Sequence, residues 1–388
     1  MRTSAPTLNV DELLAREFPL QPDLIYLNHA AVAPWPLRTA EAVKRFAEEN
    51  SLRGAANYLD WRRTERALRK QCAELINAPS PDDIALLKNT SEGLSVVAHG
   101  FPWQPGDNVI ISAEEFPSNR IVWESLKSSG VQTRIISLQN VGDPEMAFID
   151  AADSRTRLIS VSSIQYASGL RLDIAKLGEL CRTRDIAFCV DAIQGLGAFP
   201  HDVRAMHIDF LAADAHKWLL GPEGIALFYC RPEWRERLTL RQYGWHMVEA
   251  VGDYDRMDWQ VAASARRFEC GSQNMLGIHA FAASLSLLLE IGISEVERRV
   301  LARAERLFDA VRSHPDLTLL TSTEPGRYGG IVTFSHRTRQ PAELHAHLST
   351  HHVVCAPRGG GIRFSPHCYT PLPQLDQAIA LTTTSEFK

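Results

Sequence analysis

Ala187-Phe188-Cys189-Val190-Asp191-Ala192-Ile193-Gln194 and Phe210-Leu211-Ala212-Ala213-Asp214-Ala215-His216-Lys217-Trp218-Leu219-Leu220-Gly221-Pro222 are the two stretches that decide how this chain reads. Each opens on an unbroken apolar run and stops abruptly on a charged residue. A short continuous run, without alternation, fits a strand buried on both faces. Runs of the same kind recur at Asn108–Ser112, Thr133–Ser137, Leu158–Ser162 and Ile225–Tyr229, with helical patterns at Arg120–Ser128 and Ile174–Arg184 between them. Strands alternating with helices predict an α/β fold with a parallel sheet covered on both sides. In such a sheet, ligands bind beyond the carboxyl ends of the strands. The polar residues that follow the apolar runs are therefore the ones to weigh.

Outward from this block the pattern changes. Tyr26–Pro36 precedes the sheet and is expected to lie across its functional edge. After Gly271 come a long helix near Met275–Ile291, a second through Val296–Ser313, and then short strands and helices. The expected division is an N-terminal segment 1–25, a large domain 26–292 and a smaller α+β domain 293–388. The whole is 388 residues, 45% hydrophobic and 22% charged, which is ample for a large core. A formal net charge of −5 argues against a nucleic-acid partner. The basic stretch Trp61–Lys70 reads as a solvated helix face. Seven scattered cysteines without a CxxC pair suit reduced thiols, and Met1–Pro6 has no apolar targeting segment. Met275–Leu289 is too short and too polar to span a bilayer, so a cytoplasmic protein without a membrane partner is expected.

Four places at strand ends carry chemistry. Asp191 closes one apolar run; alone, it is as readily a helix cap. Lys217 follows another run among apolar neighbours; a buried lysine is rare and its amine is a nucleophile once deprotonated, but singly it reads as a surface lysine. Lys88-Asn89-Thr90-Ser91-Glu92-Gly93 turns a strand end into a helix start, either a phosphate cradle or a plain capping box. Arg363 follows Gly359-Gly360-Gly361 on a short strand, where its guanidinium would grip a carboxylate or simply face solvent. Together they favour chemistry. An Asp 26 residues before a Lys, both at strand ends, suits pyridoxal 5′-phosphate, the lysine holding the aldehyde and the aspartate the pyridine nitrogen.

At this point the chain resembles the class V aminotransferase group of fold-type I pyridoxal-phosphate enzymes, which includes cysteine desulfurases, selenocysteine lyases and isopenicillin N epimerase-like proteins. The strings that carry the resemblance are Tyr26-Leu27-Asn28-His29-Ala30-Ala31, Asn89-Thr90-Ser91-Glu92-Gly93, Glu115-Phe116-Pro117-Ser118-Asn119, Val190-Asp191-Ala192-Ile193-Gln194, His216-Lys217-Trp218, Phe268-Glu269-Cys270-Gly271-Ser272 and Arg363-Phe364-Ser365-Pro366-His367. The resemblance implies a mainly parallel seven-stranded sheet with a smaller C-terminal domain. It also implies an enzyme acting on an α-amino acid through a Schiff base on Lys217. Asp191 would pair with the pyridinium, Thr90, Ser91 and His216 would hold the phosphate, Phe116 would stack on the ring, and Gln194 would lie near its phenolic oxygen. Ser272 would reach the phosphate of a neighbouring subunit, which implies a homodimer with shared sites. Arg363 and Asn28 would bind the substrate carboxylate. Aminotransferase is the default reading; a C–S or C–Se lyase, an epimerase, and a cofactor-binding scaffold without turnover are the alternatives.

Three positions depart from the desulfurase pattern. Phe116 stands where desulfurases carry a histidine. Gly359-Gly360-Gly361 leaves no room for a mobile cysteine loop before Arg363, so Cys355 reads as a buried thiol rather than a sulfur acceptor. Asp214 replaces a phosphate-binding serine and is expected to point away or to bind a backbone group. His347 and His351 share helical spacing, but no third ligand accompanies them. No metal is expected, and the histidines read as a solvated face.

Overall fold

The computed structural model describes residues 8–384. Met1–Pro6 lies outside the described residues. Seven strands form the central sheet in the order Ile84–Leu87, Ala226–Cys230, Phe210–Asp214, Ala187–Asp191, Thr156–Ser162, Asn108–Ser112 and Gln132–Ile136. The strand between Ile84–Leu87 and Phe210–Asp214 runs antiparallel to both neighbours; the other pairings are parallel. The short stretch from Ala215 to Ile225 accounts for the exception, because it holds no crossover helix to carry the chain back to the other end of the sheet.

Alternate residues of each strand enter different cores. Ile110, Ile159, Phe188, Val190, Leu211 and Ala213 face one apolar cluster, packed under Ile174–Thr183 and Met275–Ile291. Val109, Ile111, Leu158, Ala187, Cys189, Phe210 and Ala212 face the other, under Thr90–Gly100 and Ser118–Glu124. The period of two in side-chain direction, with both faces buried, is why the runs are continuously apolar.

The helix expected over Arg120–Ser128 is split: α-helix Ser118–Glu124 tightens into a 3₁₀ turn, Ser125–Ser129, before left-handed Gly130. Met275–Ile291 is helical as expected and largely buried. The next helix begins at Ile293, three residues ahead of the expected start, after a bend of 84°. No single described helix is long and apolar enough to cross a membrane.

A four-stranded antiparallel sheet, in the order Ala356–Arg358, Gly361–Phe364, Val332–His336 and Leu317–Leu319, covers a third apolar cluster. Ile25 and Leu27 from the N-terminal segment belong to that cluster, and Ile25–Tyr26 pairs in parallel with Val353–Val354.

Two surface expectations are corrected. The Trp61–Lys70 stretch lies in helix Tyr58–Leu75, but Trp61, Glu65, Leu68 and Arg69 are buried. Arg69 forms a bidentate pair with buried Glu269 and also bonds Glu65. The buried side of this helix holds Glu65 and Arg69, whose charges meet opposite ones, while Arg63, Arg66 and Lys70 stay exposed as expected. His347 is likewise buried, its ring 4.4 Å from that of His351, rather than solvated.

Candidate active site

Asp191 and Asp214 are the last residues of adjacent strands, and Ser162 is the register partner of Asp191 on the other side. Three carboxyl ends thus meet at one edge of the sheet. Lys217 lies three residues beyond Asp214 in a tight turn. Gly221 N–H donates to the Ala215 carbonyl at 2.8 Å, Leu220 N–H to the Lys217 carbonyl at 3.1 Å, and Ala33 N–H to the His216 carbonyl at 2.7 Å. The last of these bonds comes from the Tyr26–Pro36 segment, which does lie across this edge.

Lys217 is 8% exposed, and its Nζ makes no hydrogen bond or ion pair. It stands 5.6 Å from the centroid of the Phe116 ring. Burial lowers its pKa, the nearby Asp191 charge resists this, and Arg363 adds to the lowering. Asp191 is buried, and one of its oxygens accepts from Ile193 N–H at 3.0 Å. Burial raises its pKa, and the charge of Glu115 pushes the same way. Phe116 is half-exposed, its ring edge-on to Tyr166 at 5.2 Å.

Gln194 is fixed from both sides: its amide donates to the Ala30 carbonyl at 3.0 Å, and its carbonyl accepts from the Trp218 indole at 3.0 Å. His367 holds the carbonyl of Trp218 at 3.2 Å. The residue after the lysine is therefore braced at backbone and side chain alike.

Thr90 begins helix Thr90–Gly100, which Asn89 caps through Glu92 N–H. The Ser91 hydroxyl meets Ser118 at 2.8 Å. Asp214 does bind a backbone group: its Oδ2 accepts from Thr90 N–H at 3.2 Å and from the Thr90 hydroxyl at 3.3 Å. It does so inside the cradle rather than pointing away from it. His216 Nδ1 is 3.9 Å from the same oxygen.

Arg363 is 3% exposed, with one Nη donating to the Tyr166 carbonyl at 2.8 Å and the other to Asn28 Oδ1 at 3.4 Å; its Nε has no partner. Burial and neighbouring Arg358 bring its pKa down to about 10, so it stays cationic at neutral pH. Ser272 is exposed, and no hydrogen bond joins it to this cluster.

Gly359 and Gly360, both at positive φ, form a two-residue turn between Arg358 and Gly361, so no long loop precedes Arg363. Cys355 is buried, and burial pushes its thiol up to about 12.

Sequence reading does not single out Glu115. It is buried and accepts from Ser162 N–H at 2.8 Å, from the Ser162 hydroxyl, from Asn119 at 2.9 Å and from Gln165 at 3.0 Å. Its only sequence signal is its place before Phe116 in a quoted string.

These residues fit pyridoxal phosphate. A buried amine without a hydrogen bond, a buried carboxylate, a helix N-terminus and unpartnered buried atoms at His216 Nδ1 and Arg363 Nε converge on one sheet edge.

The aminotransferase class-V family model matches residues 25–375. A probable cysteine desulfurase of Methanothermobacter thermautotrophicus is 30% identical over 93% of this chain and 88% of its own length. The uncharacterized aminotransferase YcbU of Bacillus subtilis is 31% identical over 80% of this chain and 81% of its own. Among solved structures, the cysteine desulfurase of Thermococcus onnurineus superposes with a TM-score of 0.86 at 23% identity, covering 97% of this chain and 98% of that one. The cystine C-S lyase C-DES gives a TM-score of 0.86 at 22% identity, covering 94% and 99%. This chain belongs to the aminotransferase class-V family of pyridoxal 5′-phosphate enzymes.

Proposed function

We propose that the protein acts on an α-amino acid at its α-carbon, as an aminotransferase, with Lys217 as the catalytic amine. The observation that carries this reading is Lys217 itself: a buried amine without a hydrogen bond, between the charges of Asp191 and Arg363. When bound, pyridoxal 5′-phosphate supplies an electron sink that labilises a bond at the α-carbon. Lys217 would hold the aldehyde end and could carry the proton at the α-carbon. Its depressed pKa favours the neutral amine that both tasks need. Asp191 would keep the pyridine nitrogen protonated, and Gln194 would lie near the phenolic oxygen. Phe116 would stack on the ring face but cannot move a proton, which leaves Lys217 as the shuttle. Thr90, Ser91 and His216 would hold the phosphate. Arg363 and Asn28 orient the substrate carboxylate.

A C–S or C–Se lyase is the second reading, favoured by the desulfurase named among the relatives. A persulfide relay through Cys355 does not suit it, because that thiol is buried and held protonated near neutral pH. Borohydride reduction followed by peptide mapping should find the pyridoxyl label on Lys217; a label on another lysine overturns the assignment. An amino-acid panel scored for keto acid, sulfide and inverted stereochemistry then separates transamination, lysis and epimerisation. Cys355→Ser should keep the main activity, and a severe loss in a folded variant would revive the relay.

The proposed assembly is a cytoplasmic homodimer. Exposed Ser272, without a partner in its own chain, is free to meet a neighbour's phosphate, and seven free cysteines suit a reducing compartment. Light scattering that finds a fully active monomer rejects the dimer.

A further inference from the structure

Asp214 is fixed in the phosphate cradle by reciprocal bonds. Its Oδ2 accepts the N–H and hydroxyl of Thr90, while its own N–H donates to Thr90 Oγ1 at 3.0 Å. The carboxylate cannot swing away without breaking both bonds to Oδ2, and the backbone N–H holds Thr90 Oγ1 beside it. Its other oxygen, Oδ1, is buried and unpartnered, and so is His216 Nδ1. Thr90 opens an eleven-residue helix whose N-terminal end attracts an anion. A seat for a phosphate therefore contains a carboxylate whose free oxygen has nothing to bond.

Two anions cannot share a buried seat without a cation or a proton between them. The groups facing Asp214 supply no spare cation. His216, in the turn that follows, is kept neutral because burial lowers its pKa to about 4. Lys217, in the same turn, is committed to the aldehyde end of the cofactor. Asp191 on the adjacent strand and Glu223 beyond the turn add negative charge. The facing helix brings the hydroxyls and N–H groups of Thr90 and Ser91, and its first turn adds another acid, Glu92, bonded to Lys88 N–H.

We propose that Asp214 makes phosphate seating proton-linked: one proton, taken from solvent, is held between Asp214 Oδ1 and an oxygen of the bound phosphate ester. The inference rests on the cofactor reading of this same site. Burial already lifts the Asp214 carboxyl to about 6, and a second negative charge beside it lifts it further. Below that range the acid already carries its proton. Above it, each seated phosphate must draw one in, so affinity falls by up to tenfold per pH unit.

The probe is pyridoxine 5′-phosphate, which has no aldehyde and cannot condense with Lys217. It is titrated by calorimetry into the full chain freed of cofactor, between pH 6 and 8.5, in buffers of different ionisation enthalpy. Asp214→Asn keeps the shape, offering a carbonyl to Thr90 and an N–H to the phosphate without titrating. Asp214→Ser removes the carboxylate altogether. Proton exchange at the pyridine ring, the phosphate and Asp191 is common to all three proteins and largely cancels in the comparison. At pH 8 the wild type should take up close to one proton more than either variant. The affinity of Asp214→Asn relative to wild type should grow by about tenfold per pH unit above pH 7. Equal proton uptake with parallel affinity profiles in all three proteins overturns the proposal and leaves the cofactor reading intact. Failure of the wild type to bind the probe at any pH overturns both.

Discussion

Arg363 carries a full positive charge in the interior with no carboxylate bonded to it. Its protein partners are a carbonyl and an amide oxygen, and its Nε is idle. A buried charge is tolerated when a ligand supplies the counter-charge. Arg363→Lys should keep the charge but lose the planar fork. Losing one charge-assisted hydrogen-bonding pair costs about 1.5–3 kcal/mol, so kcat/KM for α-amino acids should fall roughly ten- to hundredfold. An amine without a carboxylate should lose far less. Equal losses on both substrate types would make Arg363 structural. This residue was legible in sequence, as were Lys217 and Asp191, because each is a polar residue following a strand or turn signal. Glu115 was not: what makes it central is that Ser162, Asn119 and Gln165 converge on it, from positions that only the folded sheet brings together. Asp214 was legible as a departure from pattern, whereas its bond to Thr90 spans 124 residues and leaves no local trace.

Most strands announced themselves in the sequence as buried apolar runs, and Asn108–Ser112 ends where its run ends. Burial and legibility do not match throughout: Gln132–Ile136, legible as Thr133–Ser137, is partly exposed, while the fully buried Ile84–Leu87 was not among the runs. What the runs do not encode is direction. Ala226–Cys230 reads like its neighbours but runs antiparallel, and only the length of its connection gives that away. Helix packing is also invisible in the sequence. In helix Ile174–Thr183, a Cβ added at Gly178 would stand 1.9 Å from the Met206 carbonyl oxygen, which belongs to backbone and cannot rotate aside. Gly178→Ala should therefore destabilise the protein, by about 1–3 kcal/mol as overpacking commonly does, even though alanine is the better helix former. Gly142→Ala, with nothing within 4 Å of the added methyl, should stay within about 0.5 kcal/mol of wild type. Urea unfolding of the pair checks the point; equal stabilities would mean that the helix and the Met206 turn move apart at little cost.

Across the whole molecule, three distant parts of the chain meet in one buried histidine layer behind the Lys217 turn. His29 comes from the N-terminal segment, His367 from the C-terminal region and Trp218 from the large sheet, with the His29 and His367 rings 5.3 Å apart. Both histidines are committed as neutral rings. His29 donates from Nδ1 to the Ser365 carbonyl and accepts the Tyr369 hydroxyl at Nε2. His367 donates from Nε2 to the Trp218 carbonyl and accepts Cys368 N–H at Nδ1. A second proton on His367 would set Nδ1 as a donor against Cys368 N–H, which cannot accept. Burial lowers the His367 pKa to about 4, against 6.5 for the free side chain. In that window the unfolded chain binds a proton that the folded chain refuses, so this histidine's share of stability is complete above 6.5 and drains away as the pH falls towards 4. Buried Asp191 and Asp214, whose pKa values are raised, titrate with the opposite sign, so the net acid slope of the protein does not isolate the histidine. The difference between wild type and His367→Gln does. Glutamine can donate to Trp218 and accept from Cys368 without titrating, so on cofactor-free protein the stability gap should be constant above pH 7. Between pH 6 and 4.5 it should shift in the variant's favour by about 1.4 kcal/mol per pH unit. Urea unfolding across that range decides it: a gap that stays constant down to pH 4.5 would mean that His367 titrates freely and that the layer does not hold it neutral.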